Sequence, residues 1–180
     1  FTSIHLANWR NFTHVKVDLE RRVFLVGPNA SGKSNFLDAF RFLHDLVAVG
    51  GGFQEAIVKR GGVSRIRCLA ARAQPAVTIR FTLGEEAGEA DWEYELEFRQ
   101  QKQSAVIQKE RVLRRGKEIL ARPDAKDRHD PQRLTQTFLE QVNSNQKFRD
   151  VADFCESVRY MHIVPQLVRE PDRSVGRVND

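Results

Sequence analysis

Eight consecutive residues, Gly27-Pro28-Asn29-Ala30-Ser31-Gly32-Lys33-Ser34, have the types and spacing of a loop that holds phosphate. The glycines let the backbone curl so that successive N–H groups face phosphate oxygens. A helix starting near Lys33 would add the positive end of its dipole at the same place. Lys33 then brings a mobile charge to the β- and γ-phosphates, and Ser34 offers its hydroxyl to Mg²⁺. Asn35, directly behind, joins the same nucleotide-facing set. The expected ligands are therefore ATP and Mg²⁺. A glycine turn that merely precedes a helix would not require Lys and Ser at those two positions.

Hydrolysis asks for more than binding. Reactions of this type also use an acidic pair at the end of an apolar strand, one carboxylate for Mg²⁺ and one to orient water. No run of four apolar residues followed by Asp-Glu or Asp-Asp occurs in the chain. Glu93, Glu95 and Glu97 lie within an alternating pattern and read as a strand's wet face. Half of an ATPase site is thus expected here, with negligible turnover by these 180 residues alone.

The elements that must position the loop follow from periodicity. Ile4 and Leu6, then Val15 and Val17, alternate with polar residues and predict two strands. Val23-Phe24-Leu25-Val26 is a continuous apolar run ended by Gly27, which predicts a central strand buried on both faces and feeding the loop. From about Ser34 to Val49 the period turns helical, with Phe36, Phe40, Leu43 and Val47 as the inward stripe and Gly50-Gly51-Gly52 as the stop. Val77 to Leu83 and Trp92 to Phe98 alternate as an antiparallel pair, with Trp92, Tyr94, Leu96 and Phe98 inward. Val106 to Leu113 and Glu118 to Leu120, around Arg115-Gly116-Lys117, predict a further hairpin. Asp130-Pro131 signals a helix carrying Leu134, Phe138 and Val142, and a second helical stripe is Phe148, Val151, Cys155 and Val158. Tyr160 to Val164 reads as a core strand.

Composition narrows the class. The formal net charge of +5 permits a nucleic-acid partner without requiring one. Acidic residues from Glu85 to Glu97 and basic ones from Lys109 to Arg128 are explained either as the wet face of a sheet or as a DNA-binding surface. Cys68 and Cys155 lack metal-ligand spacing; buried free thiols in a reducing cytoplasm are expected, a disulfide or a reactive thiol being the alternative. No apolar run approaches the ~18 residues that cross a bilayer, so no membrane span is expected. Phe1 is no initiator Met, which suggests a natural start slightly upstream.

The stretch GPNASGKSNFLDAFRFL, preceded by IHLANWRNFTHVKVDL, resembles the N-terminal segment of ABC-type ATPases in the structural-maintenance-of-chromosomes, RecF and OLD-nuclease branch. Ser34-Asn35 after the lysine is similar to this branch rather than to transporter subunits, and Asn8 to Phe12 is similar to its Asn-Phe-(Arg/Lys)-x-Phe segment. The likeness is specific over residues 1–48, looser over 75–120 and weak beyond. It implies an α/β P-loop NTPase fold: the first lobe of an ABC-ATPase head, with a mixed sheet and an antiparallel β-subdomain over 75–120. Residues 1–180 would then form one lobe of a longer protein, whose signature motif, acidic pair and switch histidine lie elsewhere. The resemblance implies that Gln166, following the Tyr160–Val164 run, touches Mg²⁺ and the attacking water. It also places Arg10, Asn11 and His14 near adenine or ribose, ordinary surface residues being the alternative. It implies two heads sandwiching ATP as a homodimer, in a cytoplasmic protein of DNA repair or defence against foreign DNA. A regulatory or scaffold module acting on a protein partner without DNA contact is served equally by the same loop, whereas a small-molecule kinase is disfavoured by the β-rich middle.

Overall fold

The computed structural model describes residues 1–71, 75–86 and 90–161. Alternation of apolar and polar residues yields six strands: β1 (Ser3–Trp9), β2 (Phe12–Asp18), β3 (Val77–Leu83), β4 (Trp92–Gln101), β5 (Ser104–Arg114) and β6 (Lys117–Arg122). They form one sheet in the order β2-β1-β3-β4-β5-β6, and every neighbouring pair is antiparallel. The mixed sheet expected from the sequence is therefore not what the described residues form. The register sets Leu6 opposite Ile79 and Ile79 opposite Leu96, then Phe81 opposite Tyr94, so one face is continuously apolar. A slip of one residue would turn that whole set to water, which is why the pattern fixes the pairing. Glu93, Glu95 and Glu97 lie on the other face as expected, and Arg80 and Lys109 pair with the first two at 2.8 and 2.9 Å.

Helix α1 (Lys33–Val47) lies on the apolar face. Its buried residues are Phe36, Ala39, Phe42, Leu43 and Leu46, so the stripe is rotated from the expected one; Phe40 and Val47 flank it. Beyond Ala48 the chain doubles back, with the Gly51 and Gly52 N–H groups donating to the Ala48 and Asp45 carbonyls. A Cβ on Gly51 would stand 2.2 Å from the Asp45 carbonyl oxygen, so only glycine fits. Short helices α2 (Phe53–Val58), α3 (Val63–Ile66) and α4 (Ala125–His129) follow, and α5 (Arg149–Ser157) buries Val151 and Cys155 against α1, with Phe148 buried just before it.

Three expectations are corrected. Val23 to Val26 form no strand: the run is irregular, with Phe24 85% and Val26 91% exposed. A strand buried on both faces needs neighbours on both edges, and the sheet of the described residues ends at β2. The helix expected through Leu134, Phe138 and Val142 is only a 3₁₀ turn over Pro131–Thr135, and Val142 is exposed. There the N–H groups of Phe138 and Leu139 donate to the Glu110 carboxylate instead of to carbonyls one helical turn back. Tyr160 and Met161 are irregular and exposed rather than the start of a core strand; the rest of that run and Gln166 lie outside the described residues.

The Glu110 side chain belongs to a wholly buried ionic cluster. Arg122 donates to Glu110 at 2.8 Å and to both oxygens of Asp127 at 2.9 Å, and stacks 3.8 Å over the Phe138 ring. Burial pushes the Glu110 carboxyl up, but the amides of Phe138 and Leu139, the Arg122 guanidinium and the Tyr94 hydroxyl all donate to it, so its oxygens act as acceptors throughout. Burial works against the charged form of Asp127 too, yet Arg122, the Asp124 amide and Arg133 hold it well below the usual carboxylate range. This cluster clasps residues 124–139 to the sheet.

Candidate phosphate-binding site

The loop of residues 27–32 arches in front of α1. Gly27, at φ 159°, is extended, and the side chain of Ser31 crowds it: a Cβ there would lie 2.9 Å from the hydroxyl. Ala30 and Gly32 are left-handed, at φ 64° and 102°. Gly32 is the N-cap of α1, and no side chain caps the helix, whose first turn holds no acidic residue. The first N–H groups of any α-helix have no partner within it, and the aligned peptide dipoles leave partial positive charge at that end. This end of α1 thus carries partial positive charge that no acidic side chain of its own first turn meets.

Lys33 supplies the full charge. Its Nζ donates to the carbonyls of Gly27 and Pro28, 2.7 Å each, so the side chain folds back across the loop it follows. Ser34 is exposed beside it. The residue types and the open helix end fit a phosphate chain: backbone N–H groups and Lys33 for the oxygens, and the Ser34 hydroxyl for a divalent cation. Among the described residues no group of three or more His, Cys, Asp or Glu stands together as a metal site.

The turn joining β1 to β2 presses against this loop. Trp9 is buried, and its indole N–H donates to the Asn35 carbonyl at 2.8 Å. The Asn11 carboxamide accepts from Asn35 Nδ2 at 2.9 Å and donates to the Ser31 carbonyl at 3.4 Å. A Cβ on Gly32 would meet the Asn11 amide at 2.4 Å, so the second loop glycine is also what lets the turn approach. Arg10 does not point at the loop carbonyls. It donates twice to Asp38 Oδ2, at 2.9 and 3.2 Å, and once to the Arg65 carbonyl. His14 faces away from α1, on the outer side of the sheet, with its ring 4.4 Å from that of His5.

Sequence reasoning missed Asp38 and Arg60. Asp38 lies outside the apolar stripe of α1, yet both its side chain and that of Asp45 are more than four-fifths buried. Arg60, in the turn that follows α2, reaches Asp38 at 3.0 Å and Asp45 at 2.8 Å with 5% of its side chain exposed. The seven-residue spacing of two aspartates on one helix face was the available signal.

Comparison with known proteins bears on the same residues. The family model described as an AAA domain, putative AbiEii toxin of a type IV toxin–antitoxin system, matches residues 22–152. The chain is 33% identical over 88 residues to the DNA replication and repair protein RecF of a Picosynechococcus species, covering 48% of this chain and 23% of that protein. It is 44% identical over 45 residues to the endonuclease GajA of Bacillus cereus, covering 25% of this chain and 8% of that one. The aligned stretches thus span less than a quarter of either relative. No helix among the described residues is long and apolar enough to cross a membrane.

Proposed function

The chain belongs to the family of AAA domains described as putative AbiEii toxins, and from that premise we propose that it is the ATP-binding lobe of an ATPase head of the RecF and OLD-nuclease type. Residues 27–35 hold the triphosphate, Lys33 neutralises its β/γ end and Ser34 carries Mg²⁺. Asn11 lines the same loop. By the resemblance to that branch, Gln166, which lies outside the described residues, is assigned to Mg²⁺ and the attacking water. The acidic pair and signature motif come from a second lobe and from a second head, so that ATP joins two heads and its hydrolysis releases them. The names of the two relatives, a replication and repair protein and an endonuclease, support DNA as the object of that cycle, in repair or in defence.

The observation that carries the proposal is the uncapped start of α1 behind Gly32, with Lys33 folded over the loop. Titration calorimetry of the whole protein with Mg·ATP tests it. Wild type should bind, and Lys33→Ala should lose binding because the phosphates lose their counter-charge. Equal affinity of the two proteins would remove the claim.

A further inference from the structure

We propose that Arg10 is a positioning residue of the nucleotide site: paired with Asp38, it fixes the turn that presents Asn11 to the phosphate loop. The proposal rests on the nucleotide reading above, and it assigns Arg10 a role other than direct contact with nucleotide.

The turn between β1 and β2 has only two residues between the paired Trp9 and Phe12. Arg10 adopts φ 53° there, a conformation that suits glycine and strains a side-chain-bearing residue. Strain of this kind persists where the surroundings over-determine it, and it collects at functional sites. The surroundings here are explicit. The Arg10 backbone N–H donates to the Ile66 carbonyl, and its guanidinium grips Asp38 and the Arg65 carbonyl. Asp38 stands four residues after Ser34 and so shares its face of α1. Asp38 is itself held by the nearly buried Arg60, which Asp45 anchors further along the same helix. One carboxylate therefore ties three things together: the helix that starts at the loop, the α2–α3 segment, and the β1–β2 turn.

What this tie positions is Asn11. Its carboxamide bonds to Asn35 and lies within hydrogen-bond reach of the Ser31 carbonyl, while Gly32 leaves it room. Asn11 is exposed and has no burial of its own to fix it. Its place at the loop is set by the neighbouring residue, and Arg10 is bound to the loop's own helix.

The test separates positioning from fold and from direct contact. In the whole protein, Arg10→Gly removes the guanidinium and relieves the left-handed backbone, so its thermal midpoint should not fall. Its Mg·ATP affinity should nevertheless fall about tenfold. Asp38→Asn should fall by a similar factor, and the double variant no further, because both act through one pair. In a Trp92→Phe background Trp9 is the reporter, since its indole donates to Asn35; its emission change on Mg·ATP binding should shrink in each variant. Wild-type affinity in Arg10→Gly overturns the proposal. So does unchanged or tighter binding by Asp38→Asn beside a loss in Arg10→Gly, the signature of a guanidinium that contacts nucleotide directly. If Asp38→Asn fails to fold, Arg10→Gly and Arg10→Lys decide the matter: the lysine variant keeps the charge and should retain part of the affinity, and equal loss in both overturns the ion-pair account. Wild type that binds ATP equally with Lys33→Ala defeats the nucleotide reading itself, and this inference with it, which is a different result from any of those above.

Discussion

Replacing Gly32 by alanine probes the loop at its tightest point. Two physical terms act there. The first is the backbone: at φ 102° a residue with a Cβ is strained by about 1–2 kcal/mol, which the stiffer unfolded chain of alanine offsets by about half a kcal/mol. The second is contact. The new Cβ would lie 2.4 Å from Asn11 Nδ2 and 2.8 Å from Oδ1, so the carboxamide must swing away. Asn11 is exposed and its amide is the free end of a flexible side chain, so the penalty is bounded by its lost bond to Asn35, about 0.5–1 kcal/mol. The sum is about 1–2.5 kcal/mol, a fall of roughly 0.5–1.25 M in the urea midpoint for a slope of ~2 kcal/mol/M. The terms separate in a cycle with Asn11→Gly. That second change removes the contact and leaves the backbone strain, so the double variant should recover only about 0.5–1 kcal/mol relative to additivity. A Gly32→Ala protein as stable as wild type would show that the left-handed cap is not populated. Full rescue by Asn11→Gly would show that contact, not backbone, sets the requirement for glycine.

Two further outcomes follow from buried acids. Arg122→Met strands Glu110 without a counter-charge and leaves Asp127 with Arg133 alone, and should destabilise by about 3–5 kcal/mol in urea unfolding, whereas adding Glu110→Gln and Asp127→Asn should restore much of it; a mild effect of the single change would mean that water reaches the cluster. Because Asp127 titrates below its unfolded value of 3.8, its contribution is complete above that pH and is lost as pH falls. Glu140 has the opposite sign: burial against the start of α2 pushes its carboxyl up to about 7 from 4.5, although the Phe53 amide and Thr137 pull it back. The folded state therefore holds that proton more tightly, and its stabilising effect is full below about pH 4.5 and fades as pH rises to 7. Glu140→Gln should flatten the urea midpoint across that window, and an unchanged pH slope would assign the dependence to other groups.

Period-2 alternation made the hairpins legible because each strand has one wet face, and a wet face is written into the sequence residue by residue. Trp92 to Phe98 and its acidic complement fall in register for that reason. The phosphate loop was legible because its chemistry needs particular residue types at fixed spacing. Val23 to Val26 failed by the same kind of logic: an apolar run states that a segment is to be covered, but not by what, and β2 is the last strand on that side of the sheet. The helix expected through Leu134, Phe138 and Val142 failed for a different cause. Their amphipathic spacing suits a helix, yet Glu110, 28 positions away from Phe138 in sequence, takes the amide that a helix would use. A glutamate in a basic strand looks exposed until its partner Arg122 is known to cross the same face one strand over. Asp38 is the instructive case for the site. On the helix it reads as a solvated polar position, and only the fold shows that Arg10 and Arg60 converge on it from two separate segments. Pairwise electrostatics between distant segments leave no period in a sequence, so the groups that set the geometry of the loop were hidden while the loop itself was plain.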